Sequence, residues 1–151
     1  MSVVIEPAAA RHLPEILRIE REAFRDPWSE QSLQYCIADS GILFSVAAKG
    51  ERLLGFAVLQ LIPPEAELQN IAVSPEAKRQ GIGRLLLSQL ITQCEAGGIE
   101  AIHLEVRASN YPAIALYQAL GFEAVGCRRA YYTNPQEDAL LMTRMQKGDL
   151  P

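Results

Sequence analysis

Three features of the chain could do chemistry. Glu105 stands in a β-compatible run, Ile99 to Val106, in which Ile102, Leu104 and Val106 fall on one face and Ala101, His103 and Glu105 on the other. A carboxylate opposite an aliphatic face needs a partner, water or a chemical task, and Arg107 is one available partner. His103 shares its face. Tyr117 lies in the helix-like segment that follows; a phenol with a pKa of about 10 is a competent proton donor at neutral pH, and equally an ordinary core aromatic. Upstream, Gly81-x-Gly83 follows a β-compatible run and opens a helix, with Lys78, Arg79 and Arg84 around it. A helix N-terminus offers unpaired N–H groups and partial positive charge, and glycine lets a ligand approach the backbone, so the turn suits phosphate. Two nucleotide motifs fail here. Leu86 stands where a dinucleotide fingerprint needs a third glycine, and Arg84-Leu85 where a P-loop needs Lys-Ser/Thr. By itself the turn is either a phosphate dock or a tight strand-to-helix connection with solvated basic residues.

The elements that must position these groups follow from hydrophobic period. Val3 to Ile5 reads as a first strand. Leu13, Ile16, Leu17 and Phe24 recur at helical spacing, with Pro14 in the first turn. Pro27-Trp28 breaks that helix, and Ser29 is placed to cap a second one whose apolar face carries Leu33 and Ile37. Strands follow over Ile42 to Ala48, Leu53 to Leu61 and Ala66 to Val73, the first two joined by a Lys49-Gly50-Glu51 turn. The helix opened by the glycine turn directs Ile82, Leu85, Leu86, Leu90 and Cys94 inward and stops at Gly97-Gly98. After the strand carrying Glu105 come a short helix, Tyr111 to Leu120, and two strands, Phe122 to Arg129 and Asp138 to Met145. Hairpin runs followed by βαβ crossovers predict one mixed sheet with helices on both faces.

Composition narrows the class. With 151 residues, 49% hydrophobic and 21% charged, the chain has the length of about one domain and enough apolar surface for one core. A net charge of −4 argues against a general duplex-DNA binder. Cys36, Cys94 and Cys127 are odd in number and scattered, which is neither a disulfide framework nor a zinc cage. No cluster has metal-ligand spacing, so no metal is expected. The longest apolar stretch, Leu53 to Leu59, is too short to span a membrane, and the N-terminus lacks a secretory pattern. A soluble cytoplasmic protein is expected, and His12 is expected at the surface.

Asn70-Ile71-Ala72-Val73, then Ser74-Pro75, then Lys78-Arg79-Gln80-Gly81-Ile82-Gly83-Arg84, resembles the central motif of the GNAT superfamily of acetyl-CoA-dependent N-acetyltransferases. Lys78 stands where that motif usually has Gln or Arg. The resemblance covers the element order and nearly the full length. It implies a single-domain α/β fold over residues 1–146, with a mixed, mostly antiparallel seven-stranded sheet and a splayed central strand pair; residues 147–151 form a tail. In that fold the backbone at Ile71, Ala72 and Val73 meets the pantetheine arm and the thioester carbonyl. Residues Arg79, Gln80, Gly81, Ile82, Gly83 and Arg84 cradle the pyrophosphate, and Asn110 caps the next helix and contacts the cofactor.

The second half is similar to the bacterial ribosomal-protein alanine N-acetyltransferase branch. The likeness rests on Leu104-Glu105-Val106-Arg107-Ala108-Ser109-Asn110, Ala113-Ile114-Ala115-Leu116-Tyr117, Leu120-Gly121-Phe122, Arg128-Arg129-x-Tyr131-Tyr132 and Glu137-Asp138-Ala139. Pro27-Trp28-Ser29-Glu30 matches too, with Arg25-Asp26 inserted after Phe24. This likeness implies Glu105 as general base acting through water and Tyr117 as general acid toward the leaving thiolate. Trp28, Tyr131 and Tyr132 would shape the acceptor pocket. The implied reaction is direct acetyl transfer in a ternary complex, from acetyl-CoA to the N-terminal alanine of a small-subunit ribosomal protein. The expected enzyme is a monomer with no nucleic-acid or membrane partner. The alternatives are a related enzyme for another protein N-terminus, lysine or small amine, and a non-catalytic coenzyme A-binding regulator.

Overall fold

The hydrophobic period changes at Ile42, and there the chain passes from helices to strands. The computed structural model describes residues 2–146; the segment 147–151, expected to be a tail, lies outside the described residues. A first strand, β1 (Val4–Pro7), leads through a 3-10 turn into α1 (Leu13–Ala23) and α2 (Glu30–Ala38). Ser29 caps α2 as its position implies, its Oγ accepting the Ser32 N–H at 3.1 Å. Next come β2 (Ile42–Lys49), β3 (Arg52–Ile62), β4 (Glu65–Val73) and α3 (Ile82–Ala96). The chain closes with β5 (Ala101–Arg107), α4 (Tyr111–Ala119), β6 (Glu123–Tyr132) and β7 (Glu137–Met145).

These seven strands form one sheet in the order β1-β2-β3-β4-β5-β7-β6. The α3 crossover makes β4 and β5 parallel, and the other neighbours are antiparallel. One face carries α1 and α2 over a core that includes Ile16, Ile19, Leu33 and Phe56. The other carries α3 and α4 over Leu59, Leu86, Leu90, Ile102 and Phe122. Each such side chain contributes about 1.5–3 kcal/mol by leaving water, so both faces need their helices.

The sheet is open at its centre. β4 pairs with β5 only through Glu65–Glu67 and Ala101–His103. Beyond that point β4 stays with β3 as far as Val73, and β5 stays with β7 as far as Arg107. The two strands therefore diverge, each presenting one unpaired edge to a wedge between them. A bulge marks the parting: Val58 faces Asn70 while Leu59 faces Leu68, leaving Gln69 unopposed. Gly55 on β3 backs the free half of β4, and a Cβ there would lie 2.8 Å from the Ala72 carbonyl oxygen. The splayed central pair expected from the family resemblance is thus present.

Three expectations of the sequence differ from the structure. Leu85 points outward, 45% exposed, and the buried face of α3 runs through Ile82, Leu86, Leu87, Leu90, Ile91 and Cys94. The run Leu85-Leu86-Leu87 fits either flank of the stripe, and packing against the sheet selects the latter two. Phe24 follows the last residue of α1 with extended backbone and is largely exposed, because the helix ends one residue earlier. His12 is buried, not at the surface. Its Nδ1 accepts the Ala9 N–H at 2.9 Å, and its Nε2 lies 3.2 Å from a Glu6 carboxylate oxygen.

Candidate active site

On one side of the wedge stands the N-terminus of α3. From Val73 the chain makes a single 3-10 turn, Pro75–Ala77, and reverses through Arg79 and Gly81, both with positive φ (67° and 76°). A side chain at Gly81 would meet open space, so the positive φ, not crowding, calls for glycine there. The first helical backbone bond from this turn is Leu85 N–H to Gly81 O, at 3.0 Å, and no side chain caps the end. The amides of Ile82, Gly83 and Arg84 are left as donors at the positive pole of the helix. Lys78, Arg79, Gln80 and Arg84 stand exposed around them. Gly83 brings this turn close to α4: a Cβ there would contact Leu116 at 3.4 Å and Val73 at 3.8 Å.

The wedge itself opens into a cleft of about 810 Å³, within the range of small-ligand sites. Of the residues singled out in the sequence, Trp28, Ile71, Glu105, Asn110, Tyr117, Tyr131 and Tyr132 line it together. Ala72, Val73 and Arg79 to Arg84 do not line it; they form the neighbouring turn, and the Ala72 side chain is in the α1-side core. Two sites result, side by side along the free edge of β4.

Glu105 is placed by strand alternation. Leu104 and Val106 are buried, and Glu105 between them is partly exposed on the other face. Its expected partner Arg107 is engaged elsewhere, and the ion pair Glu105 makes is with Arg128, 3.8 Å away. Through hydrogen bonding and charge, the Glu105 carboxylate raises the Tyr131 phenol above its ordinary range. Tyr117 is 5% exposed, its ring 5.9 Å from that of Phe122, and burial pushes its phenol up to about 12. Asn110 caps α4, its side chain accepting the Ala113 N–H at 3.3 Å.

The far wall is the β6–β7 hairpin, and Arg107 holds it. Its guanidinium donates to Thr133 O at 2.7 Å and Pro135 O at 2.9 Å, and meets Glu137 at 3.4 Å. The Ser109 hydroxyl and N–H, with Arg107, keep the Glu137 carboxyl below its usual range. Burial, with the neighbouring Glu105 and Tyr131, pushes the Tyr132 phenol up to about 12. Tyr131 and Tyr132 pack edge to face, 5.1 Å between ring centroids.

The near wall is the α1–α2 connection. Trp28 both lines the cleft and packs against the α1-side core. Sequence reasoning missed Glu20, which is buried on α1 at the cleft. The signal was present: with Leu13, Ile16 and Leu17 it completes the i, i+3, i+4, i+7 stripe, an inward position for a charged residue. His103 is tied to Thr143 Oγ1 (2.7 Å) and Glu65 Oε1 (2.8 Å) and does not line the cleft. Among the described residues, no group of three or more His, Cys, Asp or Glu is placed to hold a metal, and no helix is long and apolar enough to cross a membrane. Cys36 and Cys94 are buried, while Cys127 is exposed.

Comparison with known proteins matches this geometry to a family. The model of the acetyltransferase (GNAT) family matches residues 13–122. The Escherichia coli K12 protein named [Ribosomal protein bS18]-alanine N-acetyltransferase is 43% identical over 132 residues, covering 86% of this chain and 88% of that protein. The crystal structure of the Escherichia coli ribosomal-protein-S18-alanine N-acetyltransferase superposes with a TM-score of 0.90 at 37% identity, covering 99% of each chain. A chain of the NatC complex, solved with Gag peptide and CoA, shares the fold at a TM-score of 0.86 and 20% identity, over 96% of this chain and 99% of its own.

Proposed function

The chain belongs to the acetyltransferase (GNAT) family, and from that premise we propose that it transfers the acetyl group of acetyl-CoA to the N-terminal alanine of a small-subunit ribosomal protein in the cytoplasm. The observation that carries this reading is the meeting of Glu105 and Tyr117 in one cleft, beside a cationic helix N-terminus, on a chain 43% identical to a bacterial enzyme of that name. The α3 amides and the side chains of Arg79 and Arg84 bind the diphosphate, each charged contact contributing roughly 1.5–3 kcal/mol. The unpaired edge of β4 at Ile71 to Val73 offers main-chain groups to the pantetheine amides, and an N–H to the oxyanion that develops on the thioester carbonyl.

An α-amine attacks only when neutral, and with a pKa of roughly 7.7–8.0 it needs a modest base. Glu105 takes that proton through water on the open face of β5. Tyr117 donates a hydrogen bond to the departing sulfur. Its phenol at about 12 lies well above a thiol at roughly 8.5, so it stabilises the thiolate and passes its proton on only as another replaces it. Trp28, Tyr131 and Tyr132 wall the acceptor side. Holding both reactants in one wedge supplies proximity.

The test is transfer itself. Purified protein, acetyl-CoA and a short peptide starting in alanine should give a singly acetylated product by mass spectrometry, and an N-terminally blocked copy of the peptide should give none. Acetylation of the blocked peptide at lysine, or no transfer to either, refutes the reading.

A further inference from the structure

Among the described residues, Glu20 is the only fully buried Asp or Glu, 1% exposed. None of their ion pairs includes it. Its two oxygens each accept one hydrogen bond, Oε1 from Asn70 Nδ2 and Oε2 from the Trp28 N–H, both at 2.8 Å. Burying a carboxylate without a cation is costly, and an aliphatic residue at this point of the α1 stripe would pack without that cost. What an aliphatic residue cannot do is join those two donors.

The donors belong to different halves of the site. Asn70 follows the Gln69 bulge on the free half of β4, directly before Ile71. Trp28 belongs to the α1–α2 connection, the near wall of the cleft. We propose that Glu20 is a positioning residue that fixes the acceptor wall at Trp28 to the cofactor strand at Asn70, setting where the incoming amine meets the acyl group. The proposal rests on the acyl-transfer reading of the cleft. As placed, both partners donate, and the two carboxylate oxygens accept. Leucine places an apolar side chain on the α1 stripe and removes both arms, whereas glutamine can keep both, because Asn70 can turn its Oδ1 to the glutamine N–H.

The test uses the full chain, whose single tryptophan is Trp28. In Glu20→Leu, KM for the alanine peptide should rise about tenfold, as expected for the loss of at least one charged hydrogen bond. kcat should change little and the acetyl-CoA Kd should stay within about twofold. Acrylamide quenching of Trp28 should increase. Glu20→Gln, which keeps both arms once Asn70 turns its amide, should hold KM and quenching near wild type, which ties the effect of Glu20→Leu to the two hydrogen bonds. If Glu20→Leu fails to fold, Asn70→Ala removes one arm only, and should raise KM and quenching to a smaller degree. Unchanged peptide KM and quenching in Glu20→Leu, or an equal loss of acetyl-CoA binding, overturns the clamp. A wild-type protein that transfers nothing overturns the acyl-transfer reading instead, and Trp28 quenching still decides whether Glu20 holds the loop.

Discussion

The Arg107 guanidinium stands 4.6 Å from the centroid of the Tyr132 ring while donating to two carbonyls of the β6–β7 loop, Thr133 O and Pro135 O. One side chain at the end of β5 thus fixes the aromatic wall across the cleft from Trp28. A lysine keeps the charge but loses the planar fork that makes several contacts at once. Arg107→Lys should therefore raise the KM for acceptor peptide, by roughly tenfold on the worth of one charged hydrogen bond, and leave acetyl-CoA affinity unchanged. Faster amide exchange across residues 133–137 would show the loop released; wild-type exchange and KM would mean the loop stands without Arg107.

Tyr117 and Tyr132 both hold their protons up to about 12, chiefly through burial. The folded values lie above the unfolded value of about 10. Their contribution to stability is therefore complete below pH 10 and is lost as pH rises toward 12. Urea midpoints should hold steady up to about pH 10 and fall beyond it, and Tyr117→Phe should soften that fall. Activity should show no loss from Tyr117 ionisation below pH 10. The same Tyr117→Phe variant should slow turnover by about 10²–10⁴-fold if the phenol serves the leaving sulfur.

The phase of α3 is open to a direct check. Leu87 is fully buried and Leu85 is 45% exposed. Leu87→Ala should cost about 2–5 kcal/mol in chemical denaturation, and Leu85→Ala no more than about 0.5 kcal/mol. Equal costs would place both leucines at the edge of the core.

Glycine has different uses at two neighbouring points. At Gly81 a Cβ meets nothing, so Gly81→Ala pays only for its left-handed backbone, about 1–2 kcal/mol. At Gly55 a Cβ would lie 2.8 Å from the Ala72 carbonyl, so Gly55→Ala must push β3 and β4 apart behind the free edge. Gly55→Ala should cost more stability and weaken acetyl-CoA binding more than Gly81→Ala does, as read by thermal shift with and without the ligand.

The order of elements was legible because local signals agree: the Ser29 cap, the Gly97-Gly98 stop, and the change of period at Ile42. The face of Glu105 followed from alternation alone. What sequence could not supply was non-local. The residues of β4 announce the parting only through the family resemblance; no local period or turn signal places the end of its pairing with β5 at Glu67, because that depends on strands and helices distant in sequence. Arg107 read as a partner for Glu105, yet it turns to a loop some 26 to 30 residues away. His12 looked like surface because its cap to Ala9 is a matter of local geometry, not composition. Glu20 was marked by its place on an apolar stripe, and its meaning depends on Asn70, fifty residues on.

The account turns on the carboxylate of Glu105 at the open wedge. The most direct measurement is the steady-state rate of acetyl transfer to an alanine peptide by Glu105→Gln, beside its acetyl-CoA Kd by calorimetry. The account predicts a kcat about 10²–10⁴-fold lower with an unchanged Kd. Wild-type turnover in that variant across neutral and alkaline pH would contradict it.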